Sequence, residues 1–400
     1  MDPRIIVSLF FWLSVLFVVY TYIGYPILIG ILARAKPQSI KYSNLEPSIT
    51  LLITAYNEEA VIYNKIENSL ALEYPKNKLQ ILIAADGSTD GTQEIVRKFS
   101  DQAVELSFSP ERAGKIVAMN RAVLKARGEI IVFSDANNMY EPGALRELLA
   151  PFSDKNVGAT TGAKMIIQDG SDLGSAEGIY WKYESWIKKN ETAFSSCIGA
   201  VGEMLAVRRD LYVPPPKHVI NDDYFIVLEL LKRGYRVSYV PEARSFENVS
   251  VRESDEIIRR SRMTTGKYQA IFGFFNLLPF GRPVLLWQIV SHKYFRAFLP
   301  FGFIGAFLAN ILLIILPPQA DSFPTVALIH PYDWLLMISQ LVFYGAAFLP
   351  GEKRAGGMLG KVLYIPAYLV NSNIAVLKGL YGFLTRKQTN IWERVRRGNL

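Results

Sequence analysis

The sequence predicts an α/β domain with a mostly parallel, doubly wound sheet, set between transmembrane helices. Three observations predict it. Strand-like apolar runs alternate with helical stretches from residue 48 to residue 240. Ile130, Ile131, Val132 and Phe133 form an unbroken β-branched and aromatic run, the pattern of a strand buried on both faces. Long apolar stretches lie near both ends of the chain, each close to the roughly 20 residues that span a bilayer.

The totals agree. Of 400 residues, 50% are hydrophobic and 20% are charged. That is too apolar for an ordinary cytosolic enzyme and too charged for a pure membrane bundle. The net charge of +8 suits an anionic substrate or membrane surface. Nucleic acid is not an expected partner, because the basic residues cluster beside apolar segments, where a bilayer is nearer. Cys197 is the only cysteine, which excludes an intrachain disulfide. Three histidines and no Cys/His cluster exclude a zinc site and a histidine-based mechanism. Neither a dinucleotide fingerprint nor a P-loop occurs.

Taken in order, residues 5–33 read as a transmembrane anchor, longer than a signal-peptide core. Arg34 and Lys36 favour a cytoplasmic end, and a polar linker follows. Residues 48–54, 79–85, 103–108, 129–133 and 236–240 read as strands. Residues 57–72, 90–99, 115–126, 175–194 and 222–233 read as helices, with Asp90 as a cap and Pro142 opening a further helix. The expected domains are an anchor (1–36), the α/β domain (47–256), interfacial helices (257–292), a C-terminal membrane region (293–385) and a basic tail (386–400). Within the membrane region, residues 295–316 and 334–349 read as spans. Residues 362–384, interrupted by Pro366 and Asn371-Ser372-Asn373, read either as a further span or as a re-entrant or interfacial segment, the second being preferred because it keeps the basic tail inside.

Five polar groups interrupt this pattern at the strand ends and helix starts where a doubly wound sheet binds ligands. T-A-Y-N-E-E ends the first strand: Thr54 is at its edge, Tyr56 can stack on a base, and Glu58 can accept from a ribose. A-D-G-S-T-D puts Asp86 at the next edge. Arg112 and Lys115 open a helix, a ready diphosphate site. S-D-A-N follows the buried strand, offering Asp135 and Asn137 to a divalent cation. N-D-D starts a helix with Asp222 and Asp223. Each alone also reads as a turn or a cap. The aromatic stripe Tyr180, Trp181, Tyr183 and Trp186 reads first as core.

On these motifs the sequence resembles the membrane-integrated, inverting family 2 glycosyltransferases, which include cellulose, chitin and hyaluronan synthases. The resemblance covers about residues 47–266. It implies a GT-A domain that binds a nucleotide sugar, with Mg²⁺ or Mn²⁺ as cofactor. Tyr56 and Asp86 match residues that hold the base, and Lys115 a basic residue near the donor. Asp135 opens the D-x-D metal motif. Asp223 matches the second acid of an E-D pair, the general base. Gly202 and Glu203 fall where the family lines the acceptor site. Arg259 to Met263 matches Q-x-x-R-W, with Arg262 near the diphosphate and Arg259 and Met263 on the acceptor side. Three positions depart: D-x-D reads D-A-N, E-D reads D-D, and Met263 stands in place of a sugar-stacking tryptophan.

The resemblance implies a membrane-bound enzyme, multi-pass in the cell membrane with its catalytic domain cytoplasmic. Its partners would be a nucleotide-sugar donor (a UDP-sugar), a lipid or glycan acceptor and the bilayer, and a homo-oligomer is compatible with it. Met263 points to transfer of one or a few sugars. A processive polysaccharide synthase is the alternative enzyme. A non-catalytic nucleotide-binding scaffold is the alternative of another class.

Overall fold

The computed structural model of the chain describes residues 3–38, 43, 45–167, 172–248, 253–317, 328, 330–348 and 358–386. For 172–177, 253–256 and 358–365 it describes the backbone alone. The fold divides into two compact units. One comprises Met1–Leu28, Ile257–Tyr268 and Ile289–Leu384, and the other Ile29–Glu256, Gln269–Gln288 and Thr385–Leu400.

Helix α1 (Pro3–Val19), a π-helical turn (Tyr20–Gly24) and α2 (Tyr25–Ala35) follow without a break. Together they make a 33-residue apolar helix, longer than the stretch read from the sequence. Pro26 follows the π-helical turn inside this continuous helix, where its missing N–H removes one intrahelical hydrogen bond.

The second unit is built on an eight-stranded sheet. Its strands are β1 (Ile49–Ala55), β2 (Leu79–Asp86), β3 (Val104–Ser109), β4 (Ile130–Asp135), β5 (Met139–Tyr140), β6 (Val157–Ile167), β7 (Leu205–Arg208) and β8 (Arg236–Asn248), in the order β3-β2-β1-β4-β7-β6-β8-β5. β3, β2, β1 and β4 are parallel; β1, β2 and β4 carry near-continuous apolar sequences, whereas β3 at the sheet edge alternates as V-E-L-S-F-S. β7 is antiparallel to both β4 and β6, β6 and β8 are parallel, and β5 is antiparallel to β8. The sheet is therefore mixed and mostly parallel.

Helices α3 (Glu59–Leu70), α4 (Thr92–Arg97), α5 (Lys115–Val123), α6 (Ala144–Leu149), α7 (Asp172–Phe194) and α8 (Asp222–Lys232) belong to this unit. Ile62 and Ile66 of α3 and Leu145 and Leu148 of α6 bury completely in one core with Leu51, Ile53, Ile83 and Val132 of the sheet. Each such side chain contributes about 1.5–3 kcal/mol on burial. Gly128 lets β4 start against β1: a Cβ there would lie 2.3 Å from the Ile49 carbonyl carbon.

β5, β6 and β7 were not expected, and β8 runs eight residues beyond the expected end at 240. Their sequences explain this. β6 reads V-G-A-T-T-G-A-K-M-I-I, small and Thr-rich with two glycines, so it lacks both alternation and a large apolar run. Its partner β7 is only four residues long. β8 carries Pro241, Glu242 and Arg244, which its irregular register against β6 absorbs between Val240 and Arg244.

Helices α9 (Glu253–Gly273), α10 (Pro283–Gln288), α11 (Phe295–Ile315), α12 (Tyr332–Ala347) and α13 (Met358–Leu384) complete the chain, with a π-helical stretch (Ile289–Tyr294) joining α10 to α11. In the first unit, Gly302 and Gly305 bring α11 close to α1. A Cβ at either would meet α1 side chains at 2.9 Å. Arg4 is buried there, paired with Asp333 at 3.1 Å and donating to the Leu316 and Leu328 carbonyls.

Among the described residues, two helices are long and apolar enough to cross a membrane, Pro3–Ala35 and Pro283–Ile315. The second begins twelve residues before the span read from the sequence. Proline is tolerated at its first turn, and the polar Ser291-His292-Lys293 fits inside the π-helical stretch. α12 has 16 residues, about 24 Å, short of a hydrocarbon core of about 30 Å. α13 passes through Pro366 and Asn371-Ser372-Asn373 as one 27-residue helix. The basic residues at 353, 354 and 387–397 lie outside the described residues.

Candidate active site

The carboxyl ends of β1, β2 and β4 lie side by side. Thr54 is in register with Ala84 on one neighbour and Asp135 on the other. Its hydroxyl donates to Asp135 Oδ1 at 3.2 Å.

Asp86 ends β2 and is 4% exposed. Its two oxygens accept the backbone N–H groups of Ala113 (3.0 Å) and Gly114 (2.7 Å), the residues that lead into α5. The carboxylate thus holds the loop carrying Arg112 and Lys115. Gly87, at φ +63°, makes that approach possible: a Cβ would meet the Arg112 backbone nitrogen at 2.6 Å. The Arg112 guanidinium then stacks 3.8 Å above the Tyr56 ring. Glu58 is half-buried at the start of α3, where its N–H donates to Thr92 Oγ1 at 2.8 Å.

Lys115 is the centre of the charge cluster. Its Nζ donates to Asp135 Oδ1 at 2.7 Å and lies 3.8 Å from Asp222 Oδ2. Burial alone would lower its pKa, but the charges of Asp135 and Asp222, the hydrogen bond to Asp135 and the charge of Asp223 together hold it well above the ordinary lysine value. Asp222 and Asp223 sit in the first turn of α8, where the helix dipole favours carboxylates. Gly202 touches Asp223, with a Cβ at 202 reaching Oδ2 at 3.8 Å. Thr54, Asp135, Lys115, Asp222, Asp223 and Gly202 are therefore one neighbourhood, drawn from five separate segments.

A second, buried layer lies behind it. Asn137 donates its amide to Glu247 of β8 at 3.0 Å. Lys164 of β6 is ion-paired with Glu247 and, at 3.2 Å, with Glu203. Asn138 and Tyr140 donate to the Glu203 carbonyl at 3.0 and 2.7 Å. Lys65 of α3 is fully buried and donates to the Asn138 carbonyl at 2.6 Å. Burial, opposed by Asp135 and Glu203, brings its pKa down to about 7. Sequence reasoning missed Lys65, Lys164 and Glu247. A lysine inside a helix or strand reads as a solvated face, and only the unexpected strand β6 and the unexpected second half of β8 turn 164 and 247 inward.

Asp135, with the acids of α8 nearby, supplies carboxylate oxygens, the donor type of Mg²⁺ and Mn²⁺. Among the described residues no group of three or more His, Cys, Asp or Glu gathers to hold a metal. The site fits an ion that takes few ligands from protein and the rest from diphosphate and water. Arg259, Arg262 and Met263 lie on α9 in the other unit. There Arg259 and Arg262 are half-buried and Met263 is 39% exposed.

Comparisons with known proteins follow from this geometry. Residues 50–213 match the model of "Glycosyl transferase family 2". The chain is 30% identical over 217 residues to "Poly-beta-1,6-N-acetyl-D-glucosamine synthase" of Staphylococcus aureus (strain COL), covering 52% of this chain and 51% of that one. It spans about half the length of the Staphylococcus synthases it matches. It is 25% identical over 293 residues to "Probable glycosyltransferase YdaM" of Bacillus subtilis, covering 67% of this chain and 66% of the relative. The solved mannosyltransferase PcManGT from Pyrobaculum calidifontis, in complex with GDP-Man and Mn²⁺, superposes with a TM-score of 0.70 at 21% identity. It covers 95% of this chain and 100% of its own, a likeness of fold. The mixed sheet, the polar residues at its strand ends and the sequence match agree: over residues 50–213 this chain is similar to glycosyl transferase family 2.

Proposed function

We propose that the chain is a membrane-bound, inverting glycosyltransferase. It moves a sugar from a nucleoside-diphosphate sugar, a UDP-sugar, to an acceptor hydroxyl and forms a β-linkage. The observation that carries this reading is the cluster of Lys115 between Asp135 and Asp222, with Asp223 and Gly202 alongside. It joins a donor-side carboxylate to a pair of helix-start acids, as transfer between two bound substrates requires.

Arg112 and Tyr56 offer a flat, cationic platform for a base. Lys115 and the N-terminus of α5 favour the diphosphate. The family resemblance assigns Arg262 to the same diphosphate. Mg²⁺ or Mn²⁺, held by Asp135 and assisted by the Asn137 position, would neutralise charge on the leaving diphosphate. Asp223 takes the proton from the acceptor hydroxyl, which attacks the anomeric carbon opposite the leaving group. Asp222, nearer Lys115, keeps that lysine charged. Glu203, with Arg259 and Met263, would border the acceptor.

The product is one or a few sugars on a lipid or glycan acceptor, because Met263 offers a flexible thioether in place of a flat stacking ring. The membrane part is a multi-pass anchor, with residues 257–282 in the interface ahead of the apolar helix Pro283–Ile315. Large exposed apolar side chains on α1, such as Leu13 and Leu16, support lipid contact. Arg34 and Lys36 favour a cytoplasmic catalytic domain. Similarity to the Staphylococcus poly-N-acetylglucosamine synthase favours a second reading, a processive synthase.

One experiment separates these. The full chain in lipid nanodiscs is incubated with a panel of radiolabelled UDP- and GDP-sugars and lipid or glycan acceptors, and the product is sized. A short, acceptor-linked product is expected. A high-molecular-weight, glycosidase-sensitive polymer would establish the processive reading, and no transfer from any donor would refute the enzyme.

A further inference from the structure

The buried layer behind the charge cluster has a job that neither the sheet nor the core requires. Lys164 is 6% exposed and Glu247 is 4% exposed, with the Lys164 ammonium 5.4 Å from the centre of the Trp181 ring. Buried charges persist only when paired, and these are paired with each other and with two turns of the site. One turn, after β4, carries Asp135 and Asn137. The other, Gly202–Met204, carries the glycine that touches Asp223. Glu247 grips the first turn through the Asn137 amide, and Lys164 joins Glu247 to Glu203 of the second. Asn138 and Tyr140 tie the same turns a second time through the Glu203 carbonyl.

We propose that Glu247 and Lys164 are positioning residues for the transfer reaction: through Asn137 and Glu203 they fix the turn carrying Asp135 against the turn bordering Asp223. This rests on the glycosyltransferase reading above. It also assigns a reason for the uncharged residue at 137. From the sequence, Asn137→Asp looks like an improvement, since it restores a charged metal ligand. In the structure the Asn137 nitrogen lies 3.0 Å from Glu247 Oε1. An isosteric aspartate would put an oxygen there, and two carboxylates at that separation repel. Asn137 and Glu247 are thus a matched amide–carboxylate pair, and exchanging their roles should preserve the contact.

The test is a double-mutant cycle on the full chain in nanodiscs. Parent, Asn137→Asp, Glu247→Gln and the double variant are titrated with Mn²⁺ plus UDP by calorimetry, alongside melting temperatures. Each single change is expected to weaken binding by roughly fivefold or more, and the double to return within about twofold of the parent. Asn137→Asp that tightens binding, with effects that multiply independently of residue 247, overturns the proposal. So does a change in melting temperature alone, with the affinity of the folded protein unmoved, since that is what a purely structural pair would give. If Asn137→Asp does not fold by itself, recovery of folding and binding in the double supports the coupling, and failure of the double overturns it. A parent chain that binds no nucleotide overturns the transferase reading and the positioning role with it, whereas a parent that binds, with independent effects at 137 and 247, overturns the positioning role alone.

Discussion

Asp86→Asn tests how the donor side is built. The sequence suggests a carboxylate that touches the base, whereas the structure has both its oxygens occupied by the N–H groups of Ala113 and Gly114. Asparagine keeps one acceptor and turns an N–H toward a backbone N–H. Losing one charge-assisted hydrogen bond costs about 1.5–3 kcal/mol, and stranding a buried donor about 1–3 more. At 4% exposure neither loss is relieved by water. The sum, roughly 2.5–6 kcal/mol, lowers Tm by roughly 5–24 °C for a unit of this size. Nucleotide affinity should fall with it, because Arg112 is released from Tyr56. The assay is thermal unfolding of the full chain in nanodiscs, followed by tryptophan fluorescence, with UDP titrated at a temperature where both proteins are folded. An unchanged Tm with abolished UDP binding would refute the reasoning and make Asp86 a direct base contact.

Asp223→Asn is expected to abolish transfer while leaving UDP binding near normal; if Asp222→Asn loses turnover and Asp223→Asn keeps it, the base is the other acid. Stripping metal with excess EDTA should abolish activity, and Mg²⁺ or Mn²⁺ should restore it; full activity in the stripped protein would exclude a metal role. Lys65 titrates near 7 in the folded protein against 10.5 in the unfolded chain, so between those values the unfolded state holds the extra proton. Stability from this group therefore rises with pH through that window, by up to about 1.4 kcal/mol per pH unit. Lys65→Met should flatten the rise in chemical-denaturation curves taken from pH 7 to pH 9, and an unaltered slope would contradict the assignment.

The sequence by itself determined the parallel half of the sheet. β1, β2 and β4 are apolar runs buried on both faces, and such runs announce themselves without context. It also put Thr54, Asp86, Asp135 and Asp222 at strand ends and a helix start, because polar residues that break an apolar run stand out locally. The mixed half, from β5 to β8, was decided by tertiary structure. Thr160, Thr161 and Gly162 have no strand signal of their own and become a strand only between β7 and β8. With that half went the buried layer. Lys65, Lys164 and Glu247 are charged, and a charge in a sequence reads as solvent-facing until its partner is known. The partners here lie 73, 39 and 110 residues away, at Asn138, Glu203 and Asn137. Local pattern reports which backbone an isolated segment favours, and pairing between distant charges is set only when the chain has closed around them.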